Sequence, residues 1–191
     1  MYGLRILLAD PDPHSRKNLK GILGRAGHQV FAEAGDGRIA AQLAFNRQPD
    51  MVILDVNLPV RDGLEVARVL EEHRVAPVLL LIGGDYWEVL ERAKEAGVYG
   101  CLVKPVSEAT IIPEVEIAWT NFQRIRRLEE ENRELRETLE TRKLVEKAKG
   151  ILMEKRGITE GEAYQFMRKL SMDRCTSLGR IAKAVLRGEV M

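Results

Sequence analysis

A doubly wound α/β domain of five parallel strands, followed by a coiled-coil linker and a small three-helix unit, is the fold class this sequence predicts. Three observations lead there. Short aliphatic runs alternate with amphipathic stretches over residues 1–120, the pattern of repeated βαβ units. That pattern then gives way to a long polar helix with an apolar residue every three or four positions. The charge also changes sign along the chain: residues 1–120 carry 13 basic and 17 acidic side chains, whereas 141–191 carry 12 and 6.

The strand candidates are Arg5–Ala9, Gln29–Ala34, Met51–Leu54, Val78–Ile82 and Gly100–Val103. Helical stripes fall between them, for example Leu64, Ala67, Val69 and Leu70, or Val89, Leu90, Ala93 and Ala96, each broken by Gly or Pro at the turn. Five strands and five helices in this order fit a flavodoxin-like (βα)5 sheet over residues 1–120, with its ligand site at the carboxyl ends of the strands. In the linker, 121–141, Ile125 at heptad position a places Leu128 at d, Asn132 at a, Leu135 at d and Leu139 at a. This seam, with its Asn at a core position, predicts a homodimer through residues 121–141; a single solvated helix is the alternative.

Residues 142–191 read as three short helices. Leu144, Val145, Ala148, Ile151 and Leu152 form the first stripe, which stops at Gly157. Thr159 and Glu162 make a capping-box pair that opens the second, with Ala163, Phe166, Met167 and Leu170 on one face. Ser177 or Thr176 can cap the third, whose stripe is Leu178, Ile181, Ala182, Val185 and Leu186. Gly150, inside the first, costs up to about 1 kcal/mol against Ala and predicts close packing of a helix or a partner there.

The length of 191 residues suits one ordinary domain and one accessory unit, and 45% hydrophobic with 31% charged residues suits a folded protein. No apolar run approaches the roughly 20 residues a membrane span needs, so a cytoplasmic protein without membrane contact is expected. Cys101 and Cys175 lie far apart, without metal-site spacing, and are expected to be reduced thiols. The net +6 of residues 141–191 directs any polyanion to that end. His14, His28 and His73 form no cluster.

Asp55 follows directly on the apolar run Met51–Leu54, so its carboxylate is expected to project from a strand end into the crevice. The stretch Asp55-Val-Asn-Leu-Pro59, with Gly63 beyond it and Lys104-Pro105 after the fifth strand, resembles the two-component response-regulator receiver family. The resemblance implies that Asp55 accepts a phosphoryl group from a histidine kinase, that Lys104 pairs with it, and that Mg²⁺ sits among Asp10, Asp12, Asp55 and the Asn57 backbone carbonyl. Three positions depart from the family pattern. Pro11 stands where a second adjacent acid is usual, Ile82 where a hydroxyl is usual, and Cys101 where an aromatic ring is usual.

The segment Arg142 to Met153, followed by Gly157-Ile-Thr-Glu, Glu162-Ala-Tyr164 and Ser177-Leu-Gly-Arg-Ile-Ala182, closely resembles the ANTAR domain. That resemblance implies binding of hairpin RNA in nascent transcripts and control of transcription antitermination. The expected contacts are Lys143, Lys147, Lys149, Arg168, Arg174, Arg180 and Lys183, with Tyr164 able to stack on an unpaired base. Two alternatives compete: a DNA-binding response regulator, and a phosphorylation-independent dimeric scaffold. A third helix opening on Ser177-Leu178-Gly179 lacks the base-reading side chains of a recognition helix. No general acid or base stands beside Asp55 in the sequence, so no enzyme activity beyond self-dephosphorylation is expected.

Overall fold

The computed structural model describes residues 3–84 and 87–190. In chain order they form β1 (Arg5–Ala9), α1 (Pro13–Arg25), β2 (Gln29–Ala34), α2 (Gly37–Arg47), β3 (Met51–Asp55) and α3 (Gly63–Glu72). There follow β4 (Val78–Ile82), α4 (Trp87–Glu95), β5 (Gly100–Val103), α5 (Glu108–Arg156), α6 (Glu160–Asp173) and α7 (Leu178–Leu186). The five strands make one parallel sheet in the order β2-β1-β3-β4-β5, a doubly wound arrangement. The expected strands are all present, and β3 includes Asp55 as its last residue.

Each face of the sheet is buried by a different set of helices, so β4 is apolar along its length and β3 as far as Leu54. Leu7, Val52, Leu54, Leu80 and Ile82 face a core completed by Ala40, Ala44, Leu64, Ala67 and Leu70 of α2 and α3. Ile6, Leu8, Ile53, Leu79 and Leu81 face the other, closed by Leu19 and Leu23 of α1 and by Ile111, Val115 and Ala118 of α5. Short acidic residues start three of the helices. The carboxylates of Asp12, Asp36 and Asp62 accept from the backbone N–H groups of His14, Ile39 and Leu64.

Internal contacts divide the chain into two compact units, Met1–Ile125 and Arg126–Met191. α5 contributes to both. It is continuous over 49 residues, so the expected break between a linker and a first tail helix is absent. Gly150 does not interrupt it, and the first proline or left-handed glycine after Pro113 is Gly157, at φ +65°. The second unit has its own core, in which Val145, Ala148 and Leu152 of α5 meet Ala163 and Met167 of α6 and Ile181, Ala182 and Val185 of α7. The capping box at Thr159 and Glu162 forms as expected, and Ser177 rather than Thr176 caps α7. No helix among the described residues packs closely on Gly150, where a methyl group would meet nothing within 4 Å, and of the two expectations the approach of a partner remains.

Candidate functional site

The carboxyl ends of β1, β3 and β5 bring Asp10, Asp55 and Lys104 together. Asp10 and Asp55 are buried, and the Lys104 Nζ donates to Oδ2 of both, bridging the two carboxylates. Burial pulls the Lys104 pKa down, but the hydrogen bonds to Asp10 and Asp55 outweigh it and hold the ammonium above its ordinary value. The remaining oxygens are also engaged. Asp55 Oδ1 accepts from the Asn57 backbone N–H at 2.7 Å, and Asp10 Oδ1 from that of Asp12 at 2.8 Å.

Local backbone requirements fix the loop that carries Asp55. A side chain on Gly63 would collide with the Asp55 carbonyl oxygen, and one on Gly37 with that of Arg61, so glycine lets α3 start against the end of β3 and α2 start against the loop at Arg61. Val60 in the same loop is left-handed, at φ +68°, and 77% exposed. A β-branched residue there is strained.

Two residues that sequence reasoning passed over complete the constellation. Ser15 Oγ donates to Asp10 Oδ2 at 2.7 Å, and Arg16 Nη1 donates to the Asp10 backbone carbonyl. The signal was available in principle. With Asp12 as N-cap, Ser15 lies in the first turn of α1, directed back at the end of β1. Above Lys104 a cleft of about 450 Å³ opens between Ser15 and Asn18 of α1, Gly83 and Gly84 after β4, and Pro105. Gly84 has φ +75°, as a turn requires.

Mg²⁺ needs oxygen ligands in a near-octahedral set. The residues present do not supply it. Pro11 has no carboxylate, and Asp12 Oδ1 accepts from the His14 N–H as the cap of α1, which lowers the Asp12 pKa. The expectation of Asp12 as a metal ligand is therefore corrected to a helix cap. The two carboxylates that remain are already bridged by an ammonium group. Among the described residues, no three His, Cys, Asp or Glu side chains are grouped to hold a metal ion.

The relay positions are equally altered. Ile82 is wholly buried in the core shared with α3. Cys101 is half-buried, and burial, then the nearby Glu114, pushes its thiol pKa up. The Tyr99 ring packs edge-on against Phe122 of α5, with centroids 5.4 Å apart.

In the second unit Lys143, Lys147, Arg168, Arg174, Arg180 and Lys183 are exposed. Lys149 is not. It is buried, its ammonium 2.8 Å from Glu146 and 2.6 Å from Glu160, and those hydrogen bonds raise its pKa. The expectation of Lys149 as an RNA contact is corrected to a strut that fastens the start of α6 to α5. On α7, Arg180 and Lys183 share one exposed face, continued by Arg187 at its C-cap, while Gly179, Ile181, Ala182 and Val185 are buried on the other. On α6, Tyr164 and Arg168 are one turn apart and both exposed. Arg156 lies over the Phe166 ring at 4.1 Å.

Comparison with known proteins assigns this architecture. The response regulator receiver domain model matches residues 6–116, and the ANTAR domain model matches 133–186. The transcriptional regulatory protein PdtaR of Mycobacterium tuberculosis is 42% identical over 182 residues, covering 95% of this chain and 89% of its own length. The transcriptional regulatory protein SrrA of Staphylococcus aureus is 31% identical over 111 residues, covering 58% of this chain and 46% of its own. Among solved structures, the receiver domain of NarL from Mycobacterium tuberculosis superimposes with a TM-score of 0.60 at 26% identity, covering 63% of this chain and 98% of that one. CheY4 of Vibrio cholerae gives 0.55 at 28%, covering 62% and 99%. The chain therefore belongs to the response-regulator receiver family and carries a C-terminal ANTAR domain, the make-up of an antitermination regulator that binds RNA.

Proposed function

We propose that this regulator binds hairpin RNA in nascent transcripts, in the cytoplasm, through residues 142–191, as a homodimer joined through 121–141. The observation that carries the RNA reading is α7, whose apolar face is sunk in the core of its unit while Arg180 and Lys183, continued by Arg187 at its C-cap, form the outer face. Lys143, Lys147, Arg168 and Arg174 add further positive charge for phosphates. Tyr164 beside Arg168 offers a ring and a guanidinium to an unpaired loop base. Hairpin RNA, duplex DNA and a scrambled RNA, compared at one salt concentration, test the reading. Preference for the hairpin is expected, and equal binding to all three defeats it.

In the receiver, Asp55 is the proposed acceptor of a phosphoryl group from a histidine kinase, with Lys104 paired to the added charge. The Lys104 bridge supports this, since it places an ammonium group against the carboxylate that would be modified. A second reading is favoured by Pro11 and by Asp12 acting as a cap: a receiver that works without phosphorylation, as a dimeric scaffold for the tail. Incubation with a small phosphodonor and Mg²⁺, followed by intact mass measurement, separates the two. One added phosphoryl group, absent from Asp55→Asn, supports the acceptor role; an unmodified wild-type chain supports the scaffold.

A further inference from the structure

Two helical glycines of the second unit face nothing within it. Gly150 lies inside α5 and Gly161 in the first turn of α6; both are exposed, and among the described residues a methyl group on either would meet nothing within 4 Å. Neither has the positive φ that calls for glycine. Alanine is the better helix former at such positions, so each glycine costs stability that no close packing inside the chain repays. The two are also neighbours. Gly150 follows Lys149 and Gly161 follows Glu160, the partners of the 2.6 Å strut between α5 and α6.

Each glycine shares its helix face with side chains suited to RNA. Along α5, Lys143, Lys147 and Gly150 stand at i, i+4 and i+7; along α6, Gly161, Tyr164 and Arg168 stand at i, i+3 and i+7. All four side chains are exposed, and the buried stripes point elsewhere: Val145, Ala148 and Leu152 on α5, Ala163 and Met167 on α6. Lys143 pairs with Glu140 at 3.0 Å, an exposed contact that a phosphate can replace. Glu154, one turn beyond Gly150, ends the basic stripe.

We propose that an unpaired nucleotide of the RNA loop lies against the backbones of α5 and α6 at Gly150 and Gly161; this rests on the RNA reading above. The missing methyl groups open the close approach. Lys143 and Lys147 hold phosphates on the α5 side, and Tyr164 stacks on the base from the α6 side. Glu160 gives Oε1 to Lys149, and its carboxylate has lone pairs left for a base amino group. The rival occupant at Gly150 is a second copy of the chain, and the composition of α5 tells against it. Past Leu139 the next d and a positions are Arg142, Glu146, Lys149 and Met153; three are charged, and Lys149 is buried in its own unit.

The full-length chain tests this with hairpin RNA and a fully paired RNA of the same length, at one salt concentration. Gly150→Ala and Gly161→Ala should each melt no lower than wild type and yet bind the hairpin about tenfold more weakly. The slope of log affinity against log salt should not change, because no cation is lost. Affinity for the fully paired RNA should fall by less than about twofold. If both variants bind the hairpin as wild type does, or lose equally for both RNAs, the proposal is overturned while the RNA reading stands. Weaker self-association of either variant in sedimentation would make the occupant a second copy and overturn it too. If wild type binds hairpin RNA, duplex DNA and scrambled RNA alike, the RNA reading itself fails, and this inference with it.

Discussion

Replacing Pro11 by aspartate restores the second acid that the end of β1 lacks. Wild-type chain is expected to show no saturable Mg²⁺ binding below the millimolar range by calorimetry, and Pro11→Asp to bind about tenfold more tightly or better. Submillimolar binding by wild type would refute the misfit. Val60→Gly should stabilise the receiver by about 1 kcal/mol in denaturant unfolding, because glycine adopts φ +68° without strain. In the tail, Arg180→Ala should lower the slope of log affinity for hairpin RNA against log salt by about 0.7 to 1. Lys149→Ala should leave that slope unchanged and instead lower the melting temperature, since Glu146 and Glu160 lose their shared cation. The burial of Lys149 was not legible in the sequence. Glu160 lies 11 positions on and beyond a turn, and spacing along one helix gives no hint of such a pair.

At the scale of elements, helix starts were readable because their chemistry is local. The capping box was visible as Thr159 with Glu162, and its geometry follows. Thr159→Ala should cost about 1 kcal/mol of tail stability by thermal melting. Asp12 before Pro13 carries the same kind of signal, a cap followed by proline in the first turn, and reading it so removes Asp12 from the acidic set. The five strands were legible because a strand buried on both faces is a plain aliphatic run. The end of the linker was not. A break after residue 141 had only a change of apolar phase to mark it, and helix propensity carries the backbone through to Arg156.

One buried side chain couples an element to pH. His28 precedes β2, accepts from the Leu4 N–H at Nδ1, and stands 3.8 Å from Glu116 of α5 at Nε2. Burial lowers its pKa below the ordinary 6.5, and Glu116 opposes that only partly. The unfolded chain therefore binds the proton more readily than the folded one. The stabilising effect of a neutral His28 is present above pH 6.5 and is lost as pH falls below it. Chemical unfolding at pH 7 and at pH 5 should show the loss in wild type and a smaller one in His28→Gln.

For the whole molecule, charge is segregated by function. The α/β unit closes its cation and anions on each other at Lys104, Asp10 and Asp55, while the tail turns its bases outward. The net +6 of residues 141–191 made the destination of a polyanion legible from composition alone. Composition could not separate the bases that face outward from the one that holds the unit together. Among the described residues, no helix is long and apolar enough to cross a membrane.

The two lysines held by paired carboxylates differ from the rest in one more respect. An amine attacks an acyl donor only through the lone pair of its neutral form, and hydrogen bonds to two carboxylates keep Lys104 and Lys149 protonated. Reactive acyl phosphates or thioesters would therefore modify exposed amines such as Lys147 and Lys183 first. Spontaneous acetylation would strip positive charge from the outer face of the tail while sparing the amines that hold each unit's carboxylates together.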